Sequence, residues 1–102
     1  MTASDRRTSL ADARRARPNT PEIDEAYAAT RLRFELGEAV RLRRGERGLS
    51  QSELGRLAGM TQSAVARFEA GGTVPTLPLL ERLADALDLD LRVEFVEHAR
   101  SA

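Results

Sequence analysis

Residues 51–68 read Gln-Ser-Glu-Leu-Gly-Arg-Leu-Ala-Gly-Met-Thr-Gln-Ser-Ala-Val-Ala-Arg-Phe. Two short helical patterns meet in this stretch, joined by a tight turn. The apolar positions are Leu54, Ala58, Met60, Val65 and Phe68, and their spacing turns them inward. Gly55 stands where two helix backbones must approach closely, and Gly59 where the turn needs a positive φ. These are the demands of a helix-turn-helix, with the second helix free to enter a DNA major groove.

Working outward, Ser50 and Glu53 form a capping box that opens the first of these helices, and Thr61 caps the second. Gly71-Gly72 end it through a left-handed residue. Thr76 starts a further helix in which Pro78 is tolerated in the first turn, with Leu79, Leu80, Leu83, Ala84 and Leu87 as its apolar face. Upstream, Thr20-Pro21-Glu22 supplies a hydroxyl cap, a proline and an acid at the positive dipole end. That helix is expected from Pro21 to about Arg47. Gly37 and Gly45 weaken it by about 1 kcal/mol each relative to Ala, and Gly48 stops it. After Asp90 the period changes: Leu91, Val93 and Phe95 alternate with Arg92, Glu94 and Val96, as in a short strand. The organisation expected is an Arg-rich flexible arm over 1–19, a helical domain over 20–90, a strand over 91–97 and a tail over 98–102.

The long first helix carries two apolar faces. Ile23, Tyr27 and Phe34 share one, while Leu32, Leu36 and Ala39 lie roughly opposite. One face can dock on the core. The other needs a second cover: the fourth helix or terminal strand, a dimer mate, or another protein.

Apolar residues make up 41% of the 102, but the aromatics are only Tyr27, Phe34, Phe68 and Phe95, so the core must be built from Leu, Val and Ala. The absence of Cys excludes disulfides and thiolate metal sites. No signal peptide or membrane-spanning run is visible, and a cytoplasmic protein is expected. The lone His98 sits in an acidic tail, and there is no phosphate-binding glycine loop, metal-ligand cluster or nucleophile–base set; neither an enzyme nor a cofactor is expected. Net charge is zero but uneven. Residues 1–21 hold five Arg against two Asp, and residues 75–102 hold three Arg against six acids. A basic end can face phosphate while the acidic end points away.

With Val65 and Phe68 inward, Thr61, Gln62, Ser63, Ala66 and Arg67 are left outward near the start of the third helix. Glutamine suits adenine N6 and N7, and arginine suits guanine O6 and N7. Gln62 and Arg67 are therefore the base-reading candidates, and Ala66 can meet a thymine methyl. Gln51 begins the second helix, where an amide and free N–H groups can hold a phosphate. Arg41, Arg43 and Arg47 are further phosphate candidates. For any one polar residue a solvated helix face would be the better reading; here the polar set stands on an apolar framework that is independently that of a DNA reader.

The framework resembles the Cro/phage-repressor (XRE) helix-turn-helix family over roughly residues 36–90. The resemblance is carried by Arg44, Gly48-Leu-Ser-Gln51, Glu53-Leu54, Ala58-Gly59, Gln62-Ser63, Val65, Arg67-Phe-Glu69, Thr76-Leu77, Leu80 and Leu83-Ala84. It implies an all-α fold of four to five helices, with a long N-terminal helix and a short C-terminal β-strand for dimerisation. It also implies DNA contacts from Gln51, Thr61, Gln62, Ser63 and Arg67, and an ion pair between Arg44 and Glu69. Gly55 departs from the usual Ala. Arg43 stands where Leu is common, from which Leu42 is expected to shift into the gap. The flanks Pro21-Glu22, Ala26-Tyr27, Phe34-Glu35-Leu36 and Leu89–Phe95 look like HigA-type antitoxins, and the terminal strand is similar to that of HipB-type antitoxins. That likeness implies a homodimer on a palindromic operator, with Leu91, Val93 and Phe95 at the dimer seam. It also implies a RelE-like toxin partner, for which Ile23, Tyr27 and Phe34 are the candidate surface. A stand-alone regulator and an interaction module without DNA binding are the competing readings; Gln62 and Arg67 speak against the last.

Overall fold

The computed structural model describes residues 20–98. Four α-helices follow in order among the described residues: α1 Pro21–Glu46, α2 Gln51–Ala58, α3 Gln62–Glu69 and α4 Leu77–Ala86. The expected arm over 1–19 and the end of the tail lie outside the described residues. Among the described residues, no helix is long and apolar enough to cross a membrane.

The chain divides into two units, Met1–Leu32 and Arg33–Ala102. The described part of the first is residues 20–32. There Thr20 Oγ1 accepts the N–H of Ile23 at 3.2 Å, and Glu22 and Asp24 occupy the first turn of α1. Both features stabilise the positive end of the helix. Ile23, Ala26, Tyr27 and Thr30, spaced at helical intervals, line a shallow apolar cleft. Tyr27 and Leu32 are about half exposed.

The second unit holds the core. Leu54 and Ala58 of α2, Val65 and Phe68 of α3, and Leu83 and Leu87 at the end of α4 are buried together. Leu36, Val40, Leu49, Met60, Leu79 and Leu80 pack around them. α2 packs against both α3 and α4. A core of so few side chains makes each one count: truncating a fully buried Leu such as Leu54 to Ala typically costs about 2–5 kcal/mol. The four helix starts and the turn follow the sequence. The Ser50/Glu53 capping box is complete, Thr61 and Thr76 each accept from the N–H three residues on, and Gly59 adopts φ 70°. Gly71, at φ 79°, ends α3 in the left-handed region.

Three expectations change. Leu42 does not move into the core; it stays 53% exposed. The half-buried stem of Arg43 occupies that neighbourhood itself, because its guanidinium donates to the Leu87 carbonyl at 3.0 Å. Of the face expected to dock, Leu36 does so alongside Val40, while Ala39 is exposed. Phe34 stays 55% exposed, and its ring lies over Gly71, a neighbour not foreseen for it, where an added Cβ would meet Phe34 Cδ1 at 2.8 Å.

Gly37, read from the sequence as a weak point, is a packing requirement. A Cβ there would lie 2.5 Å from the carbonyl oxygen of Phe68 and 2.6 Å from that of Glu69. α1 and the end of α3 are therefore in backbone contact, which only glycine permits.

Residues 91–98 leave the core and are exposed, without a ladder among the described residues. A ladder requires a second strand. Arg92 Nε donates to Glu94 Oε2 at 2.8 Å, which places these two on one side as in extended chain. Val93 is 66% exposed and Phe95 105%.

Candidate nucleic-acid interface

The two helix starts at Ser50 and Thr61 bring Gln51 and Gln62 together. Gln62 Nε2 donates to Gln51 Oε1 at 2.7 Å, and Gln51 Nε2 donates to Glu69 Oε1 at 3.0 Å. Glu69 is in turn held by Arg44 through a two-pronged ion pair, Nε to Oε2 at 2.6 Å and Nη2 to Oε1 at 3.0 Å. Arg44 Nη1 also donates to the Leu49 carbonyl at 2.9 Å. The result is a continuous chain from α1 through the end of α3 and the start of α2 to the start of α3.

The chemistry of this chain has a direction. An ionised carboxylate only accepts, so Gln51 must offer Glu69 its NH₂ group. That turns the Gln51 carbonyl toward Gln62, which must answer with its own NH₂. Gln62 is then left with one N–H and its carbonyl oxygen, the donor and acceptor that a paired contact to adenine N7 and N6 requires. Burial raises the Glu69 carboxyl, but hydrogen bonds from Arg44 and Gln51 and the charges of Arg44 and Arg41 outweigh it, and its pKa lies below the ordinary value. The Glu69 hydrogen bond likewise raises Arg44. Both groups are charged at neutral pH, so the direction of the chain is maintained.

Around this pair, Thr61, Gln62, Ser63 and Arg67 are exposed, while Gln51 and Ala66 are half-buried. Thr61 serves first as a cap, its Oγ1 accepting the Ala64 N–H at 3.0 Å. The Arg67 guanidinium makes no hydrogen bond or ion pair among the described residues. Arg43 and Arg47 are not part of this cluster. Arg43 Nε and Arg47 Nη1 both donate to the Leu87 carbonyl, at 3.0 and 3.1 Å, neutralising the negative end of α4. Arg41 pairs with Glu38 at 2.7 Å on the exposed face of α1.

One contributor was not read from the sequence. Arg82 of α4 donates through Nε to the Ala58 carbonyl at 3.0 Å and through Nη2 to the Gly59 carbonyl at 3.4 Å. It closes the end of α2 at the turn between the two helices that carry the site. Its partners are backbone oxygens, which leave no trace in the residue pattern.

Comparison with known proteins fits this geometry. The family described as Helix-turn-helix domain matches residues 35–95. The restriction-modification controller protein C.AhdI from Aeromonas hydrophila is similar, with 35% identity and a TM-score of 0.54 over 56% of this chain and 86% of that one. The P22 c2 repressor, solved in complex with a synthetic operator, is similar at 31% identity and TM-score 0.51 over 54% of this chain and 83% of that one. Among curated proteins, multiprotein-bridging factor 1b of Arabidopsis thaliana is 32% identical over 77 residues, 72% of this chain. The match spans 54% of that relative's length.

Proposed function

Because the chain belongs to the helix-turn-helix domain family over residues 35–95, we propose that it is a DNA-binding transcriptional regulator of the XRE/Cro type, reading a palindromic operator as a dimer. The observation that carries this reading is the directed chain Arg44–Glu69–Gln51–Gln62, ending in an exposed amide on the helix that also carries Arg67, which has no partner among the described residues. Gln62 and Arg67 read base edges, Ala66 meets a thymine methyl, and Thr61 and Ser63 contact the backbone. Gln51 has two tasks: it meets a phosphate at the start of α2, and it orients Gln62. The P22 c2 repressor, with a comparable helical frame, is seen with operator DNA, and this supports the assignment. The reading needs no catalytic group and no cofactor.

The second copy joins through the terminal segment. Leu91, Val93 and Phe95 fall on the side opposite the Arg92–Glu94 pair, and pairing with the same segment of a two-fold mate would satisfy the backbone and cover that face. Selection of bound duplexes from a randomised pool tests the whole reading. The expected product is an inverted repeat with half-site centres about 34 Å apart, one helical turn. Recovery of sequences with no consensus would contradict it.

A finer reading is favoured by the apolar cleft of Ile23, Ala26, Tyr27 and Thr30 on the first turns of α1. In it, the regulator is the antitoxin of a toxin–antitoxin pair. Ile23 and Tyr27 then hold a RelE/HigB-like ribonuclease, and the antitoxin represses its own operon. A chain lacking residues 1–30 should keep its operator affinity and lose suppression of the co-expressed toxin. Normal suppression by that truncation would place the toxin contact elsewhere or remove it.

A further inference from the structure

Two consecutive glycines follow α3, and they differ in kind. Gly71 has φ 79° and needs to be glycine for its backbone. Gly72 is not among the positive-φ residues, so no left-handed φ calls for glycine there. What reserves Gly72 is its surroundings. A Cβ added there would lie 2.9 Å from Arg67 Cγ, 3.3 Å from the Arg67 carbonyl oxygen and 3.8 Å from Arg67 Cδ. The Gly72 N–H donates to that same carbonyl at 2.9 Å, which holds the turn against the last part of α3. The aliphatic stem of Arg67 therefore rests on the bare Cα of Gly72.

We propose that Gly72 is a specificity-determining positioning residue, whose missing side chain lets the Arg67 stem lie on the turn and aims its guanidinium at one base pair. The inference rests on the reading of Arg67 as a base contact. Cγ is close to the root of the side chain, so a Cβ at position 72 cannot be avoided by moving the far end alone. The stem must leave its present course, and the guanidinium, several bonds further out, moves with it. Paired hydrogen bonds to a base edge are lost when the donor fork is turned or displaced, because both N–H groups must meet both acceptors. The neighbouring Gln62 has an anchor of its own in Gln51.

The test is a double-mutant cycle with a duplex selected from a randomised pool by the wild-type protein, read by fluorescence anisotropy at fixed salt. Arg67→Ala is expected to weaken binding roughly 10- to 100-fold and to flatten preference at one base pair. Gly72→Ala should weaken it about tenfold, flatten preference at that same base pair, and add nothing in the Arg67→Ala background. In the free protein, NOEs from the Gly72 Hα to the Arg67 Hγ protons should be present. If Arg67→Ala loses affinity and Gly72→Ala binds and discriminates like wild type, the positioning role is overturned while the base contact stands. If Arg67→Ala itself binds like wild type, the base contact is overturned and the role of Gly72 with it. If Gly72→Ala fails to fold, Gly72→Ala/Arg67→Ala decides: removal of the stem should restore folding, and a double variant that stays unfolded overturns the proposal.

Discussion

Glu69 is the residue on which most of the site converges. Its side chain is 5% exposed and that of Arg44 18%, so removing either partner leaves a charge largely out of water. Breaking such a pair from one side costs about 3–5 kcal/mol. Because the Glu69 pKa is depressed below its ordinary 4.5 in the folded chain, the ionised form favours folding. That contribution is complete above pH 4.5 and is lost as pH falls through the depressed value. Glu53, lowered by the backbone and side-chain hydrogen bonds of Ser50, acts in the same direction. Glu69→Gln should therefore destabilise the protein at about pH 7, and the gap to wild type should narrow toward about pH 3. Thermal melts across that range check it; a gap independent of pH would contradict it. The pairing of Arg44 with Glu69 was legible through the family resemblance, and Gln51 and Gln62 through their places at helix starts. The hydrogen bonds that join Glu69, Gln51 and Gln62 were not, because contacts across 11 and 18 residues exist only once the fold does. Arg43 and Arg47 are phosphate candidates by their charge alone; the Leu87 carbonyl that both face is not visible in the sequence.

At the scale of elements, the helix starts were written plainly: a hydroxyl at Ser50, Thr61 and Thr76 each accepts a backbone N–H at the expected spacing. The turn glycine Gly59 was equally plain. What escaped were demands made by one element on another. Gly37 must be bare because two carbonyl oxygens of α3 lie against it, and Arg82 reaches from α4 to close α2. Neither has a local signature. The terminal segment is intermediate. Its alternation is visible in the sequence, and the Arg92–Glu94 contact agrees with extended chain, but a ladder would require a mate. Val93→Pro removes a donor and blocks such a ladder. It should shift the protein toward monomer and weaken operator binding while helix content stays constant. Sedimentation showing the variant as firmly dimeric as its parent would mean that the dimer is built from helices instead.

For the molecule as a whole, zero net charge is compatible with DNA binding only if charge is unevenly spread. In the second unit it is. Arg67, without a partner among the described residues, stands on α3, while Glu81, Asp85 and Asp90 line a surface cleft beside Leu91. Several other arginines of the described residues are tied to carboxylates or helix-end carbonyls, so the proposed site would draw on shape and amide chemistry as well as on charge. Specificity is then the property to measure. The decisive quantity is the ratio of affinities for the pool-selected duplex and a scrambled one, by anisotropy at a single salt concentration. For the Gln62→Ala/Arg67→Ala double variant this ratio should fall on the order of 100-fold or more, with scrambled binding little changed. A double variant that keeps the wild-type ratio would show that α3 does not read the operator.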